Sequence, residues 1–347
     1  MSTEIDFNWQ IIGHKRIKQF LQRNVVNESI SHAYLFFGPA KVGKTSAAKK
    51  FAQSLLCENY DHYQKTREVK GALPCGICSA CVQFDKKIYP DLYIVEREIN
   101  EKTGKKKGQI AVGQIRELLG KVAKRSFMNS YKIVLIPEAQ LLSQEASNCL
   151  LKTLEEPTPR TIIILISPSK DLLLSTILSR VQLIKFLPVT RQSIYDYLLG
   201  RGASRNLAKE LASMAQGRPT MAMKMFNKED KLTEYQFINK ELLQLLGSGI
   251  IDRFQFIEKM VGKKTNNEEI IKKLDYLSAL TRDVLLTVNY RDDLLTNQFL
   301  VQELKQFRDK YSVKRLSGFL GKIEQAKRLL LQNVNPRLLL ENLLLNI

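Results

Sequence analysis

The chain has no apolar run approaching the roughly 18–20 residues that a membrane-spanning helix needs, so no span is expected. Its opening, MSTEIDFNWQ, has neither the basic start nor the apolar stretch of a secretory signal, and a cytoplasmic location is expected. Trp9 is the single tryptophan, so the composition does not advertise base stacking on single strands. No internal repeat and no low-complexity tail is visible. Cysteine is scarce, five residues in 347, and four of them fall in one short window: Cys57, Cys75, Cys78 and Cys81. In a cytoplasmic chain that grouping is not a disulfide framework. It looks like metal ligation.

Positive charge is what the sequence has in excess. Lys and Arg number 54 against 35 Asp and Glu, a formal charge of +19. Such an excess draws a protein toward phosphate-rich polymers and steers the encounter, but says nothing of fold. At 44% hydrophobic and 26% charged, the chain has the balance of a globular protein with real cores. Its length suggests two or three domains.

Residues 1–188 alternate short apolar strands with helical stretches. The runs 33–37 (AYLFF), 91–95 (DLYIV), 132–136 (KIVLI), 161–166 (TIIILI) and 181–186 (VQLIKF) are of strand length and partly β-branched. Helical patterns such as 44–56 and 143–155 separate them, which predicts a parallel sheet covered on both faces. The lysine-rich segment 100–109 reads as an exposed excursion, and 227–231 (NKEDK) as a polar linker. Beyond Pro188 the periodicity is helical throughout. The expected organisation is an α/β domain over 1–188, a small helical domain over 189–230 and a larger all-helical domain over 231–347. A long helix is expected near 314–332, then a last leucine-rich helix after Asn335-Pro336.

Gly38-Pro39-Ala40-Lys41-Val42-Gly43-Lys44-Thr45 matches G-x-x-x-x-G-K-[ST] between a strand and a helix, the context that gives the match meaning. Gly38 and Gly43 let backbone amides curl around phosphate oxygens, and the helix N-terminus adds partial positive charge. Lys44 would reach the β- and γ-phosphates of ATP, and Thr45 would offer its hydroxyl to magnesium. Hydrolysis needs more. The strand 132–136 should end in a magnesium-ordering aspartate, but Pro137 stands there, followed by Glu138, which alone could polarise a water. ATP binding is thus expected, magnesium is poorly supported, and turnover should be weak or absent.

C-x2-C-x2-C over 75–81, with Cys57 upstream, supplies four thiolates for a closed, structural zinc site. His62 could replace one cysteine, and unligated buried thiols are the plainer alternative. Cys149 shares a helical face with Ala146, Leu150 and Thr153 and reads as core packing.

The runs SHAYLFFGPAKVGKTSAAKKFAQSLLC, PCGICSAC and YPDLYIVE, then 110–127, 131–167 and 175–189, resemble the AAA+ clamp-loader subunits of bacterial DNA polymerase III. The resemblance is dense over the first 190 residues and returns weakly at 333–345. It implies a P-loop AAA+ domain carrying a zinc module (57–81) on Cys57, Cys75, Cys78 and Cys81. It also implies a helical lid over 189–230 and a helical collar over 231–347 that joins five subunits in an open ring. Delta and gamma/tau subunits are the implied partners, with the sliding clamp and primer–template DNA reached through the complex. The family's arginine that reaches a neighbour's ATP falls on Arg180, after Ser179, with Val181 where cysteine is usual. Taken alone, Arg180 would read as a surface or salt-bridged arginine.

Departures from the family pattern sort its members. Pro137 replaces the magnesium aspartate, and Thr220 lies where active gamma-type subunits carry a lid arginine. Ser167 is a possible polar sensor at a strand end. An arginine for a neighbour beside a damaged pocket resembles the delta-prime type. A gamma-type ATPase and a nucleotide-free scaffold are the alternatives; a stand-alone P-loop enzyme would not need the long helical half.

Overall fold

The alternation of side chains along short strands builds two cores, one on each face of a single sheet. In the computed structural model, residues 5–345 are described apart from 69, 102–103, 105, 129, 263–266 and 333. They form two compact units, Met1–Ser193 and Ile194–Ile347.

The first unit runs α1 (Lys15–Val26), β1 (Ala33–Phe37), α2 (Lys44–Leu56), α3 (Glu58–Thr66), α4 (Ser79–Asp85), β2 (Leu92–Ile94) and α5 (Val112–Val122). It continues with β3 (Lys132–Ile136), α6 (Gln144–Glu155), β4 (Thr161–Ser167), α7 (Ser175–Leu178) and β5 (Gln182–Lys185). The strands lie in the order β2-β3-β4-β1-β5, and every pair is parallel. Successive residues of a strand point to opposite faces. Tyr34, Phe36, Ile133, Leu135, Ile162 and Ile164 join the core under α1 and α2. Ala33, Leu35, Val134, Ile136, Ile163 and Leu165 join the core under α5 and α6. Burying each of the larger aliphatic and phenylalanine side chains contributes about 1.5–3 kcal/mol, so strands apolar on both faces are what a covered parallel sheet demands.

The five expected strands are present: 33–37 and 132–136 with the expected bounds, 161–166 extended to Ser167, and 91–95 and 181–186 trimmed to Leu92–Ile94 and Gln182–Lys185. The run 91–95 is a strand only over Leu92–Ile94, because Asp91 has another task. Asp91 is 1% exposed, and its carboxylate accepts from the Ser126 hydroxyl (2.9 Å) and the amides of Phe127 and Met128 (both 3.0 Å). The turn before β3 is thereby fastened to the strand beside it. Cys149 is half-buried against the second core. The segment 100–109 carries a bridge between Ile99 and Lys106 and ion pairs from Lys106 to Glu96 and Lys107 to Glu98. Residues 102, 103 and 105 of that segment lie outside the described residues.

Near the junction begins α8 (Arg191–Leu199), and the second unit adds α9 (Arg205–Met214), α10 (Pro219–Phe226), α11 (Glu229–Gly247), α12 (Ile250–Met260), α13 (Asn267–Val288), α14 (Val301–Lys305), α15 (Val313–Leu331) and α16 (Pro336–Leu345). No strand occurs among its described residues. Its apolar cluster draws on residues from Leu242 to Leu344, and the buried residues of α8–α10 lie outside that cluster. Residues 229–231 are helical rather than linker: Glu229 and Asp230 sit in the first turn of α11, where carboxylates complement the helix dipole. Asp283 is fully buried and accepts from the amides of Thr296 (2.9 Å) and Asn297 (2.8 Å) and from Asn297 Nδ2 (2.8 Å). Tyr235 completes this network through Asn297 Oδ1 at 2.7 Å.

Candidate nucleotide and metal sites

The loop from Gly38 to Gly43 leaves the carboxyl end of β1 and enters α2, the end of an open α/β sheet at which ligands bind. Gly38 has φ of 139°, and a Cβ there would stand 2.0 Å from the Phe186 carbonyl oxygen, so no other residue fits. Gly43, at φ 105°, is the cap residue that opens α2. His14 braces the loop: its Nε2 lies 2.9 Å from the Val42 carbonyl, and its ring packs edge-on to Phe186.

Lys44 is buried and folds back into the loop, donating to the carbonyls of Gly38 (2.5 Å) and Pro39 (2.6 Å). Burial brings its amine down to about 8. Those carbonyls are poor substitutes for phosphate oxygens, so an anion in the loop would be a stronger partner for the ammonium. Thr45 is exposed in the first turn of α2. Gly38, Gly43, Lys44 and Thr45 therefore stand together as the residues that fit a nucleotide's phosphates.

Two strands along the sheet from β1, with β4 between them, β3 ends at Ile136, and Glu138 follows Pro137. Glu138 is engaged by Arg97, whose Nε and Nη2 approach its two oxygens at 3.1 and 3.2 Å. Arg97 also donates to the Lys107 carbonyl at 3.3 Å, and its side chain is 14% exposed. Sequence reasoning passed over Arg97. The signal was in the register: Ile94 faces Leu135, so counting three residues along both strands sets Arg97 beside Glu138. The Ser167 hydroxyl donates to the Ser169 carbonyl at 2.6 Å, a local bond that closes the end of β4.

Arg180 lies between α7 and β5. It donates to Glu155 (2.7 Å), the Thr176 carbonyl (2.9 Å) and the Ser179 hydroxyl (3.0 Å), with its side chain one-third exposed. It is thus salt-bridged, as its ordinary reading has it. Its level along the sheet is informative. Gln182 pairs with Tyr34 in parallel register, so Arg180 is level with His32, and Gly38 lies six residues further along. At about 3.3 Å per residue the two are about 20 Å apart along the strands. Arg180 and the phosphate loop belong to opposite ends of the same sheet. Thr220 is exposed in the first turn of α10.

The four thiols converge. The sulfurs of Cys57, Cys75, Cys78 and Cys81 all lie within 4.8 Å of one another, within about 1 Å of the roughly 3.8 Å edge of a tetrahedron with ~2.3 Å bonds to sulfur. Cys57 sits between α2 and α3, and Cys78 is the cap residue of α4. Backbone amides already serve the sulfurs: Cys75 N–H to Cys57 (3.4 Å), Cys78 N–H to Cys75 (3.3 Å) and Cys81 N–H to Cys78 (3.4 Å). The neighbouring Cys81 thiol pushes the Cys57 thiol down, and the same closeness together with burial pushes the Cys81 thiol up. Four ligands in a closed cluster leave no open position for chemistry. His62 is not among the converging ligands; its own Nε2 is buried without a hydrogen-bond partner among the described residues.

No helix among the described residues is long and apolar enough to cross a membrane. Residues 13–190, a little over half of the chain, match a family model described as DNA polymerase III, delta subunit. Residues 240–347 match a model described as DNA polymerase III, delta subunit, C terminal. DNA polymerase III subunit delta' of Bacillus subtilis is 29% identical over 95% of this chain and 94% of its own length. The delta' subunit of Pseudomonas aeruginosa is 37% identical over 43% of this chain and 41% of its own. The tau subunit of B. subtilis is 34% identical over 53% of this chain but only 30% of its own. A solved gamma subunit-related protein of Thermotoga maritima superposes with a TM-score of 0.50 at 14% identity, covering 95% of this chain and 98% of that one. At that identity the likeness speaks to the fold alone.

Proposed function

The chain belongs to the delta-prime type of the DNA polymerase III clamp-loader family, with its AAA+ fold, and from that membership we propose a supporting, non-hydrolysing role in clamp loading. In this reading the subunit stands beside delta and gamma/tau partners in a five-membered ring that places the sliding clamp on primer–template DNA. It holds ATP without turning it over and lends Arg180 to the ATP of a neighbour. The division into a lid over 189–230 and a collar over 231–347 belongs to the same proposal.

The observation that carries it is the separation of Arg180 from the chain's own phosphate loop along one parallel sheet. A guanidinium contributes to phosphoryl transfer only where it can meet the developing charge. Arg180 is too far along the sheet from its own phosphate loop for that, which supports a use to another subunit. Meanwhile Pro137 offers no carboxylate for magnesium, and Glu138 is tied to Arg97. ATP bound here would supply a phosphate anion for Lys44, Thr45 and the loop amides to hold. A zinc ion on the four cysteines would close the module between α2 and α4. The deciding experiment is reconstitution with delta and gamma/tau subunits. Arg180→Ala should assemble normally yet lower the ATPase and clamp loading of the complex, and wild-type rates would remove the role in trans.

A nucleotide-free variant of the same role is favoured by one observation, the inward turn of Lys44 onto Gly38 and Pro39. Calorimetry with ATP separates the two.

A further inference from the structure

Between Phe7 and Cys57 the sequence holds eight cations (Lys15, Arg16, Lys18, Arg23, Lys41, Lys44, Lys49, Lys50) and a single acid, Glu28. That acid is already paired with Arg67 at 2.6 Å. The stretch includes α1 and α2, which pack against each other and contain no carboxylate at all. The fold sorts these cations. Lys44 turns into the phosphate loop, Lys18 donates to the Ile11 carbonyl and Lys50 to Gln53. Lys15, Arg16, Arg23 and Lys49 are exposed, and none forms an ion pair with a described residue.

The exposed side of α1 has a pattern of its own. At 100° per residue, Arg16, Phe20 and Arg23 fall within one narrow wedge of the helix, and all three are exposed, Phe20 by 39%. Leu21 and Val25, on the other side, are fully buried in the core. An aromatic ring thus stands in solvent with a guanidinium one helical turn to either side. The two arginines are seven residues apart, about 10 Å along the axis. That spans about three phosphates of a strand that rises ~3.4 Å per nucleotide. A face that serves only solubility interleaves charges of both signs. This one has none of the negative kind.

We propose that the outer face of α1 is a nucleic-acid contact, on which Arg16 and Arg23 meet successive phosphates of a single strand while a base stacks on Phe20. Stacking on one ring between cations tolerates any sequence, because every base has a π-face. A membrane surface fits the face less well: the helix would need its apolar side free to insert, and Leu21 and Val25 are committed to the core. The contact is separate from the phosphate loop and from Arg180, and it stands or falls without the assembly role proposed above.

The test uses the full chain and a fluorescent 20-nucleotide oligo(dT), with anisotropy read across a salt series. Wild-type protein should bind with an affinity that falls steeply with salt. Arg16→Ala/Arg23→Ala should flatten the slope of log K against log salt by about 1.4, two phosphates at about 0.7 each on a single strand. Phe20→Ala should keep the slope and weaken binding roughly tenfold. Unchanged thermal unfolding of these exposed-site variants confirms that the fold is intact. Wild-type affinity and slope in the variants would overturn the proposal. So would equal losses on polyglutamate, which would make the face a general acceptor of acidic peptides. Binding to phosphatidylglycerol vesicles with none to the oligonucleotide would overturn it in favour of a membrane contact.

Discussion

Arg97 grips Glu138 through two N–H···O bonds of 3.1 and 3.2 Å, and the pair closes the end of β3 where a hydrolytic site would keep its carboxylate free. On the proposed reading two separate features would oppose turnover, the proline at 137 and the arginine that occupies Glu138. Pro137→Asp by itself should leave phosphate release by the isolated chain at background, since the neighbouring carboxylate is still engaged. Turnover at the rate of an ordinary AAA+ motor, in wild type or in this variant, would contradict the reading. Arg97→Met should cost about 1–2 kcal/mol in urea unfolding, the loss of a charge-assisted pair that retains some solvent.

ATP affinity should depend on pH through Lys44. Burial places its amine at about 8 in the free loop, and a bound phosphate would raise it. Below 8 the ammonium is present before ATP arrives. Above 8 a proton must be taken up on binding, so affinity should fall as pH rises, approaching tenfold per unit. Lys44→Ala should bind ATP more weakly and lose the dependence between pH 7.5 and 9.5 (about one and a half decades in the wild type). Isothermal titration at several pH values checks both outcomes.

One zinc per chain is expected in protein purified without chelator. Cys78→Ser should lower the zinc content in elemental analysis and reduce the melting temperature by several degrees, because binding free energy at such a site is folding free energy. Cys149→Ser should leave the zinc unchanged. A well-folded, zinc-free wild-type protein would refute the assignment.

Freeing Arg180 should be inexpensive. Its pair with Glu155 is 2.7 Å long but half-exposed on the acid's side, and such pairs contribute about 0–1 kcal/mol. Glu155→Gln should therefore unfold within about 0.5 kcal/mol of wild type and leave the ATPase of a reconstituted complex intact. Arg180→Ala should reduce that ATPase. The effect at the affected site could reach about 10³–10⁵, diluted in the ensemble by sites that do not border this subunit. Clamp loading is the more sensitive readout.

The sequence was most legible where chemistry dictates spacing. Gly38 through Thr45 follows a motif set by phosphate geometry, and four cysteines at 57, 75, 78 and 81 by metal geometry, so each group could be named before any fold. Strands apolar on both faces, such as 161–166, announced a covered parallel sheet. Arg97 was not legible in the same way. Its partner lies 41 residues away, and only strand order and register join them. The inward turn of Lys44 and the attachment of Arg180 to Glu155 are likewise tertiary choices among several partners of similar chemistry. The helical start of α11 was hidden because Glu229 and Asp230 have the composition of a linker until a helix dipole gives them a purpose. Phe20 was obscured by averaging: it is one of several exposed rings among 27 phenylalanines and tyrosines, and composition does not single it out.

The carboxylate of Asp91 has a consequence for how the first unit breathes. It sits almost wholly out of water and holds the amide protons of Phe127 and Met128, residues that are 80% and 51% exposed. An exposed turn ordinarily surrenders its amide protons to deuterium within moments, since small local openings suffice. Here release requires a buried anion to lose its donors, which costs about 1–3 kcal/mol for each bond left unmade. The turn's amides should accordingly exchange on the clock of the sheet beneath it, while its side chains remain at the surface.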